Sequence, residues 1–215
     1  MRKILKTYKL IEKQVKGFNL PWVTKVALRH DPFRVLISCI LSLRTKDKTT
    51  AEASRRLFSV AGTPYKIAKL KPLSIEKLIY PAGFYRNKAK VILNISKTII
   101  HDHGGRLPGN LDDLLELKGV GRKTANLVLG LGFGIPAICV DTHVHRISNR
   151  LGWVSTRKPE ETELALEKIF PKKYWIELNN VLVSFGQNLC VPVSPFCSKC
   201  HVYKQCLRKG VTRYR

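Results

Sequence analysis

The stretch LELKGVGRKTANLVLG (residues 115–130) places two glycines and a lysine between two apolar segments with helical spacing. We predict two helices joined by the turn KGVG, which together form a helix–hairpin–helix. Glycine permits the positive φ angles and the close backbone approach that so tight a turn requires, and the second helix directs its N–H groups and its positive dipole end towards the turn. Such a turn suits a phosphate of a nucleic-acid backbone, although an ordinary helical hairpin with a glycine cap has the same pattern.

The charge of the chain favours the phosphate-binding interpretation. The 215 residues include 39 Lys and Arg against 15 Asp and Glu, which gives a formal net charge of +24. Solubility does not need so one-sided a balance, and the basic residues are spread along the whole chain. We therefore expect a polyanionic partner, with nucleic acid preferred over an anionic membrane.

The apolar segments do not predict a membrane or secreted protein. The most apolar run, VLISCILSL (residues 35–43), is too short to span a bilayer. The N-terminal stretch MRKILKTYKLIEKQVK lacks the continuous apolar core of a secretion signal. It predicts instead a basic amphipathic helix with Ile4, Leu5, Tyr8 and Ile11 on one face. The expected location is intracellular, in the cytoplasm or the nucleoid.

Helical periodicity also dominates the rest of the chain. Residues 31–58 predict two helices with a break near LRTKD, where Asp47 is a candidate N-cap of the second helix. Because no convincing alternating strand pattern is found, the predicted fold class is all-α. The remaining helices are predicted within residues 87–105, 111–119, 121–133, 141–153, 159–170 and 173–190.

The six cysteines fall into two groups. Cys39 and Cys139 are isolated in apolar contexts and are predicted to be small buried side chains. The other four have the spacing C-x6-C-x2-C-x5-C, and disulfides are not expected in an intracellular protein. Four thiolates suit either Zn²⁺ or an iron–sulfur cluster, and spacing alone does not choose between these metals. The four candidate ligands are Cys190, Cys197, Cys200 and Cys206.

Two titratable side chains near the hairpin are candidate catalytic residues. Lys123 lies in the first turn of the second predicted helix, where the helix dipole disfavours a cation. A solvated lysine is the ordinary interpretation, whereas a functional lysine would use its amine as a nucleophile. Asp141 begins another predicted helix and suits an N-cap. The two side chains, on helix N-termini beside a phosphate-binding hairpin, are also a plausible reaction centre.

Three motifs taken together, LKGVGRKTAN, VDTHVHR and CVPVSPFCSKCHVYKQC, resemble the endonuclease III family of DNA base-excision repair glycosylases. The resemblance extends over essentially the whole chain and implies an all-α fold of two helical modules with the active site in the cleft between them. A six-helix module with the hairpin would span residues 25–135, and a cluster-binding module would combine residues 1–24 with 136–215. The resemblance also selects a [4Fe–4S] cluster over zinc for the four cysteines.

The resemblance further implies a bifunctional DNA glycosylase and AP lyase, acting as a monomer on double-stranded DNA that contains damaged bases or abasic sites. Damaged pyrimidines would be the substrates. Lys123 would attack the sugar C1′ and form a Schiff base, and Asp141 would stabilise the positive charge that develops on the sugar. The hairpin residues would contact DNA; they are Gly119, Val120, Gly121 and Arg122.

Departures from the family pattern concern substrate choice and DNA contact. Arg44 replaces a common glutamine and Phe84 a common leucine; arginine favours guanine edges and phenylalanine can intercalate. A phosphate contact for Arg44 and core packing for Phe84 are equally plausible alternatives. Asp47 falls on a position that lines the base pocket in the family. The loop VPVSPF (residues 191–196) carries no charge, so we expect DNA contact from RKGVTRYR (residues 208–215) or from the hairpin instead.

Two rival functions remain open at this point. A non-catalytic helix–hairpin–helix DNA-binding protein would need only the charge, the hairpin and the cysteines, and would leave Lys123 and Asp141 unexplained. A glycosylase for thymine or uracil in mismatches with guanine is motivated by Arg44.

Overall fold

The computed structural model describes residues 2–28 and 30–215. Within these ranges it has twelve α-helices and no strand, which confirms the all-α prediction. In chain order, α1 to α12 are Arg2–Val15, Trp22–Ala27, Pro32–Ser42, Asp47–Val60, Pro64–Ala68, Pro72–Ile79, Tyr85–Asp102, Leu111–Glu116, Arg122–Leu127, Thr142–Leu151, Pro159–Ile169 and Trp175–Asn188. None of the described helices has both the length and the apolar character needed to cross a membrane.

The chain divides into two compact units. One unit is the continuous segment Pro21–Ile135, and the other combines Met1–Leu20 with Pro136–Arg215. The continuous unit contains α2 to α9, and the discontinuous unit contains α1 and α10 to α12.

Helix α3 is central to the continuous unit. Its side chains are buried almost all round the helix, and Val35, Leu36, Ile37 and Leu41 are fully buried. A helix that is apolar on every side is stable only inside a core, which explains why α3 packs against α2, α4, α7 and α9. Because α3 ends at Ser42, the segment that follows it begins at the core and leads to the surface.

Helix α1 joins the two ends of the chain in the discontinuous unit. Tyr8 and Ile11 are fully buried in one apolar core with residues of α10, α11 and α12, as its amphipathic pattern predicted. The Tyr8 ring makes edge contacts with Phe170 and Tyr174, at centroid distances of 5.7 and 5.4 Å. Such aromatic contacts add to the free energy gained by burial, so α1 is an integral part of this unit.

One local prediction is wrong, and one predicted helix changes its type along its length. Asp47 is the first residue of α4 and not its N-cap, which is Lys46; the Asp47 carboxylate instead accepts the N–H of Trp22, at 2.9 Å, at the start of α2. The predicted helix over residues 121–133 ends as an α-helix at Leu127 and continues as a π-helical turn over Val128–Gly132. A Cβ on Gly132 would lie 3.0 Å from the Pro32 Cα, so α3 packs closely on this turn.

Candidate active site and cysteine-lined cavity

The two glycines of the hairpin meet different requirements. Gly119 has φ +98°, and a Cβ there would lie 2.7 Å from Cγ1 of Val91 on α7. Gly121 has φ −97°, and a Cβ there would have no heavy atom within 4 Å. Gly119 is therefore required by the fold of the turn, whereas the backbone at Gly121 is open to an approaching ligand.

Between these glycines, Val120 anchors the turn. Its side chain is buried, and its N–H donates to the carbonyl of Leu117 at 2.8 Å. Arg122 and Lys123 follow at the start of α9, and both are exposed. The hairpin thus presents two cationic side chains and the open backbone of Gly121 on the surface.

Lys123 lines a groove together with two other candidate residues, Arg44 and Phe84. The groove has a volume of about 570 Å³. Burial raises the pKa of the Cys39 thiol, on α3, to about 12, and the nearby positive charge of Lys123 opposes this shift. Three residues from distant parts of the sequence therefore meet at one concave surface. The rest of the lining is Ile40, Ser42, Leu43, Asn87, Lys88, Val91 and Gly119.

Arg44 and Phe84 lie at the tips of two adjacent loops. Both have positive φ angles, 50° and 57°, which are uncommon for residues with a Cβ. The guanidinium carbon of Arg44 lies 5.4 Å from the centroid of the Phe84 ring, a distance at which a cation and an aromatic ring attract each other. Phe84 is 63% exposed. Core packing of Phe84, the alternative considered from the sequence, is therefore wrong.

The other two candidate carboxylates are placed differently. Asp47 does not line the groove, since its carboxylate binds the N–H of Trp22. Asp141, in the discontinuous unit, is the N-cap of α10. Its Oδ1 accepts the N–H groups of His143 and Val144, both at 2.9 Å, as the sequence predicted for a capping residue.

The four clustered cysteines line a second cavity, which lies within the discontinuous unit and has mostly apolar walls. The side chain of His201, next to Cys200, is not part of this lining. Among the described residues, no group of three or more His, Cys, Asp and Glu side chains is arranged to hold a metal ion. The isolated Cys39 and Cys139 are buried, each 2% exposed, as predicted.

A buried arginine holds the loop between the first two of these cysteines. Arg150 donates to the carbonyls of Val191 and Pro192, at 2.8 and 2.6 Å, and lies 3.5 Å from the Cys190 Sγ. Burial raises the pKa of the Cys200 thiol to about 11. In the absence of a metal this thiol is therefore neutral at pH 7, and a metal would have to displace its proton.

The C-terminal residue Arg215 also contacts this loop. The guanidinium of Arg215 lies 4.0 Å from the centroid of the Phe196 ring, and its Nε donates to the carbonyl of Ser194. Arg208 stacks on Tyr203 at 4.4 Å. The uncharged loop thus has a positive charge placed on it by a residue that is distant in the sequence.

Two basic residues of these sites, Lys88 and Arg150, were not predicted from the sequence. Both are buried, at 5% and 8% exposure. Lys88 occupies a position that matches the apolar face of α7, four residues before Ile92. A basic residue in an apolar helical stripe is the signal that would have identified it.

Comparisons with known proteins show what the chain as a whole is similar to. A family model described as HhH-GPD superfamily base excision DNA repair protein matches residues 37–172. The chain is similar to endonuclease III of Thermotoga maritima, with 53% identity over 176 residues that cover 82% of this chain and 83% of that protein. It is also similar to two solved structures. A trapped endonuclease III–DNA covalent intermediate, an estranged-adenine complex, has 33% identity, coverage of 95% and 94%, and a TM-score of 0.85. A thermostable thymine-DNA glycosylase has 28% identity, coverage of 95% for both chains, and a TM-score of 0.83.

Proposed function

The chain belongs to the endonuclease III family of the HhH-GPD superfamily and is a base excision repair DNA glycosylase and AP lyase, and we propose that it removes damaged pyrimidines from double-stranded DNA through a Schiff base on Lys123. The observation that carries the proposal is the groove in which Lys123 meets Arg44 and Phe84. A volume of about 570 Å³ is within the range of small-molecule sites, roughly 300–1,000 Å³. A nucleotide rotated out of the duplex is a ligand of this size.

In the proposed reaction, the neutral amine of Lys123 attacks C1′ of the sugar. The bond between C1′ and the base breaks, and the base leaves with the bonding electron pair and acquires a proton. Opening of the sugar ring gives an iminium ion between C1′ and the lysine nitrogen. Loss of a proton from C2′ then expels the 3′ phosphate, and water hydrolyses the iminium ion to release Lys123.

Asp141 has two roles in this proposal. Its carboxylate would stabilise the positive charge that develops on the sugar and would accept a proton from the lysine amine. The N–H groups that hold this carboxylate come from its own helix, so the side chain is fixed in one rotamer before substrate binds. A fixed charge stabilises a transition state without the cost of reorganisation.

The hairpin and the overall charge would bind the DNA backbone. The net charge of +24 favours duplex DNA at moderate salt, because neutralised phosphates release counterions. We assign the local phosphate contact to Gly119, Gly121 and Arg122, with Val120 as the buried anchor of the turn. We propose that the active form is a monomer, since all the proposed groups belong to one chain.

We also propose that the four clustered cysteines bind a [4Fe–4S] cluster. The donor set fits, since Cys190, Cys197, Cys200 and Cys206 line one apolar cavity and thiolates are the usual ligands of such clusters. The cluster would supply a cross-link between four points of the C-terminal segment. Buried Arg150 would hold the first loop against this centre and offset part of the negative charge of the thiolates.

A second substrate class is favoured by a specific residue. The guanidinium of Arg44 lines the groove, and arginine donates well to the O6 and N7 atoms of guanine. Arg44 would therefore also support removal of thymine or uracil from mismatches with guanine, and one solved structure similar to this chain is a thymine-DNA glycosylase. The non-catalytic alternative is excluded by the family assignment.

Borohydride trapping tests the proposed nucleophile. Borohydride reduces the Schiff base, so the parent protein should form a covalent adduct with a duplex that contains an oxidised pyrimidine. The variant Lys123→Gln keeps a similar length but has no amine, and it should bind the duplex without forming an adduct.

The matched control is Lys118→Gln. It removes the same charge from an exposed position on the other side of the turn, and it should form the adduct at the parental rate. Adduct formation by Lys123→Gln would identify another amine as the nucleophile. Base release by the parent without any adduct would show that water is the nucleophile, and the proposal would fail.

A further inference from the structure

Lys88 is a buried lysine that binds neutral oxygen atoms. Its side chain lies on α7 and is 5% exposed. Its Nζ donates to the carbonyls of Leu41 and Leu43, at 2.8 and 2.6 Å, and to the hydroxyl of Thr45 at 2.8 Å. An ammonium group has three N–H donors, so all three are satisfied by the five-residue segment 41–45.

This segment begins at the C-terminal end of α3. Helix α3 ends at Ser42, so the carbonyl of Leu41 belongs to the last turn, where carbonyls lack partners within the helix. The negative end of the helix dipole also lies there and favours a cation. Lys88 therefore acts as a C-terminal cap that is supplied by another helix.

The same lysine is linked to the second loop through Thr45. The Thr45 hydroxyl accepts the N–H of Gly83, at 3.0 Å, in addition to the N–H of Lys88. A Cβ on Gly83 would overlap the carbonyl oxygen of Arg44, so the two loops are in direct backbone contact. Arg44 belongs to the first loop, and Phe84 directly follows Gly83 in the second.

We propose that Lys88 is a positioning residue that fixes Arg44 and Phe84 at the rim of the groove and thereby sets the preference for the base opposite the lesion. Lys88 does not need to touch DNA for this role, because it acts through the Leu43 carbonyl and the Thr45 hydroxyl. The inference rests on the proposed function, in which Arg44 and Phe84 contact the DNA around the flipped nucleotide.

The backbone conformation explains why these loops need an anchor. Arg44 and Phe84 both have positive φ, a conformation that costs free energy in residues with a Cβ and persists only where the surroundings enforce it. Burial of an ammonium group is also unfavourable. Three hydrogen bonds to the charged group and the dipole of α3 offset part of that cost, and the result is a defined position for both tips.

The charge of Lys88 can be changed by pH. Burial lowers its pKa to about 8. The charged groups that line the same groove, Arg44 and Lys123, are both cationic, and the carboxylate of Asp47 is bound to the N–H of Trp22. Above pH 8 the neutral amine keeps two N–H donors, and its lone pair faces one of three oxygens. The segment 41–45 then loses one hydrogen bond.

Deprotonation of Lys88 weakens the anchoring of the segment 41–45, but it increases the free energy of unfolding. The folded-state pKa of about 8 lies below the unfolded value of 10.5, so the folded state releases its proton first. Stability therefore rises as pH increases through this window. As the pH rises, the preference for the opposite base should therefore fall while the contribution of Lys88 to folding stability rises. A lysine with only a structural role would change stability with pH and leave the base preference constant.

The test measures single-turnover base release from one lesion placed opposite guanine or adenine, and the readout is the ratio of the two rates. Lys88→Met keeps the length of the side chain without its donors, and Thr45→Val removes the hydroxyl that links the two loops. Each variant should move this ratio about tenfold towards unity, the size of one charge-assisted hydrogen bond. The midpoint of thermal unfolding should fall in Lys88→Met, because the carbonyls of Leu41 and Leu43 lose their donor; the ratio of the two rates is therefore the readout that tests positioning.

The pH profile provides the second readout. In the parent, the ratio should move towards unity between pH 7.5 and about 9.5, whereas in Lys88→Met it should stay constant over this range. If Lys88→Met does not fold, Thr45→Val decides the question alone. Parental ratios in the variants that fold, or a pH profile unchanged in Lys88→Met, would overturn the inference.

Two reference variants separate this inference from the proposed function. Arg44→Gln and Phe84→Leu remove the tips themselves and should change the ratio at least as much as Lys88→Met. If they change the ratio while Lys88→Met and Thr45→Val keep the parental ratio, then Arg44 and Phe84 set the base preference without Lys88. In that case only the inference fails. If borohydride traps no adduct with the parent protein, the proposed function itself fails.

Discussion

At the scale of single residues, Asp141 combines two tasks in one carboxylate. It caps α10 by accepting two N–H groups, and it is the proposed stabiliser of charge on the sugar. The capping task was predictable from the position of an aspartate before a helical pattern. These tasks can be separated, because a cap needs an oxygen acceptor whereas charge stabilisation needs the negative charge.

We expect Asp141→Asn to keep the cap and lose the charge. Asparagine is as good an N-cap as aspartate, so the free energy of unfolding should stay near the parental value. Base release should slow by about 10²–10³-fold, the usual effect of losing one electrostatic stabiliser. Single-turnover kinetics and thermal unfolding measure the two quantities independently.

The comparison variant is Asp141→Ala, which removes both the charge and the cap. It should show the same kinetic loss and, in addition, about 1 kcal/mol lower stability. A parental rate in Asp141→Asn would leave this residue with its capping role alone.

The sequence predicted the role of a residue where the residue type itself indicates the chemistry. It was less informative where the role depends on contacts with distant residues. The motifs predicted that Arg44 and Phe84 stand out, but only the structure shows both tips in one groove with Lys123. Lys88 escaped notice because a lysine among apolar positions reads as a solvated side chain unless its acceptors are known. Those acceptors are two main-chain carbonyls and a hydroxyl more than 40 residues away in sequence.

At the scale of elements, the long helices were predictable, whereas three of the short helices were not. Helices such as α7 and α10 have apolar stripes and are followed within two residues by glycines with positive φ, which are visible in the sequence. Helices α2, α5 and α6 have eight residues or fewer, too few for a periodic pattern to stand out. The π-helical turn after α9 packs closely against Pro32, a contact that no local pattern encodes.

The hairpin gives the prediction at this scale. Gly119→Ala places a Cβ at φ +98° and 2.7 Å from a Val91 methyl, so the free energy of unfolding should fall by about 1–3 kcal/mol. Gly121→Ala places a Cβ in open space at φ −97°, so the loss of stability should be the smaller of the two and should come only from a weaker N-cap of α9. If the backbone here approaches a phosphate, Gly121→Ala should still weaken binding to every duplex.

Chemical denaturation and fluorescence anisotropy with damaged and undamaged duplexes measure these effects. The two variants are informative as a pair because they lie in the same hairpin but should change the free energy of unfolding by different amounts. Parental affinity of Gly121→Ala for all duplexes would remove the hairpin backbone from the DNA interface.

At the scale of the whole molecule, the two ends of the chain are held together around the cysteine segment. Gln14 on α1 donates to the carbonyl of Lys199 at 2.7 Å and accepts the N–H of His201 at 3.1 Å. These contacts join positions that are more than 180 residues apart, and they flank Cys200, one of the clustered cysteines. No sequence pattern predicts this connection, because it depends on how the discontinuous unit closes upon itself.

The metal content gives the last prediction. The purified protein should be brown and contain iron and sulfide at about four each per chain, as four-cysteine ligation of a [4Fe–4S] cluster requires. Cys206→Ser should lose the iron, whereas Cys39→Ser, which changes a buried cysteine outside the cavity, should retain it. Elemental analysis and visible absorbance decide this, and a colourless protein with one zinc per chain would contradict it.

Removal of the cluster by a chelator should then loosen only one of the two units. Without the cross-link, residues 190–206 lose their common centre, and α1 loses its partners at Lys199 and His201. Hydrogen exchange should therefore speed up in the cysteine segment and in α1. The fully buried helix α3 belongs to the continuous unit with a core of its own, so its exchange should remain slow. Equal loss of protection in α3 would show that the cluster stabilises the whole chain and not the discontinuous unit alone.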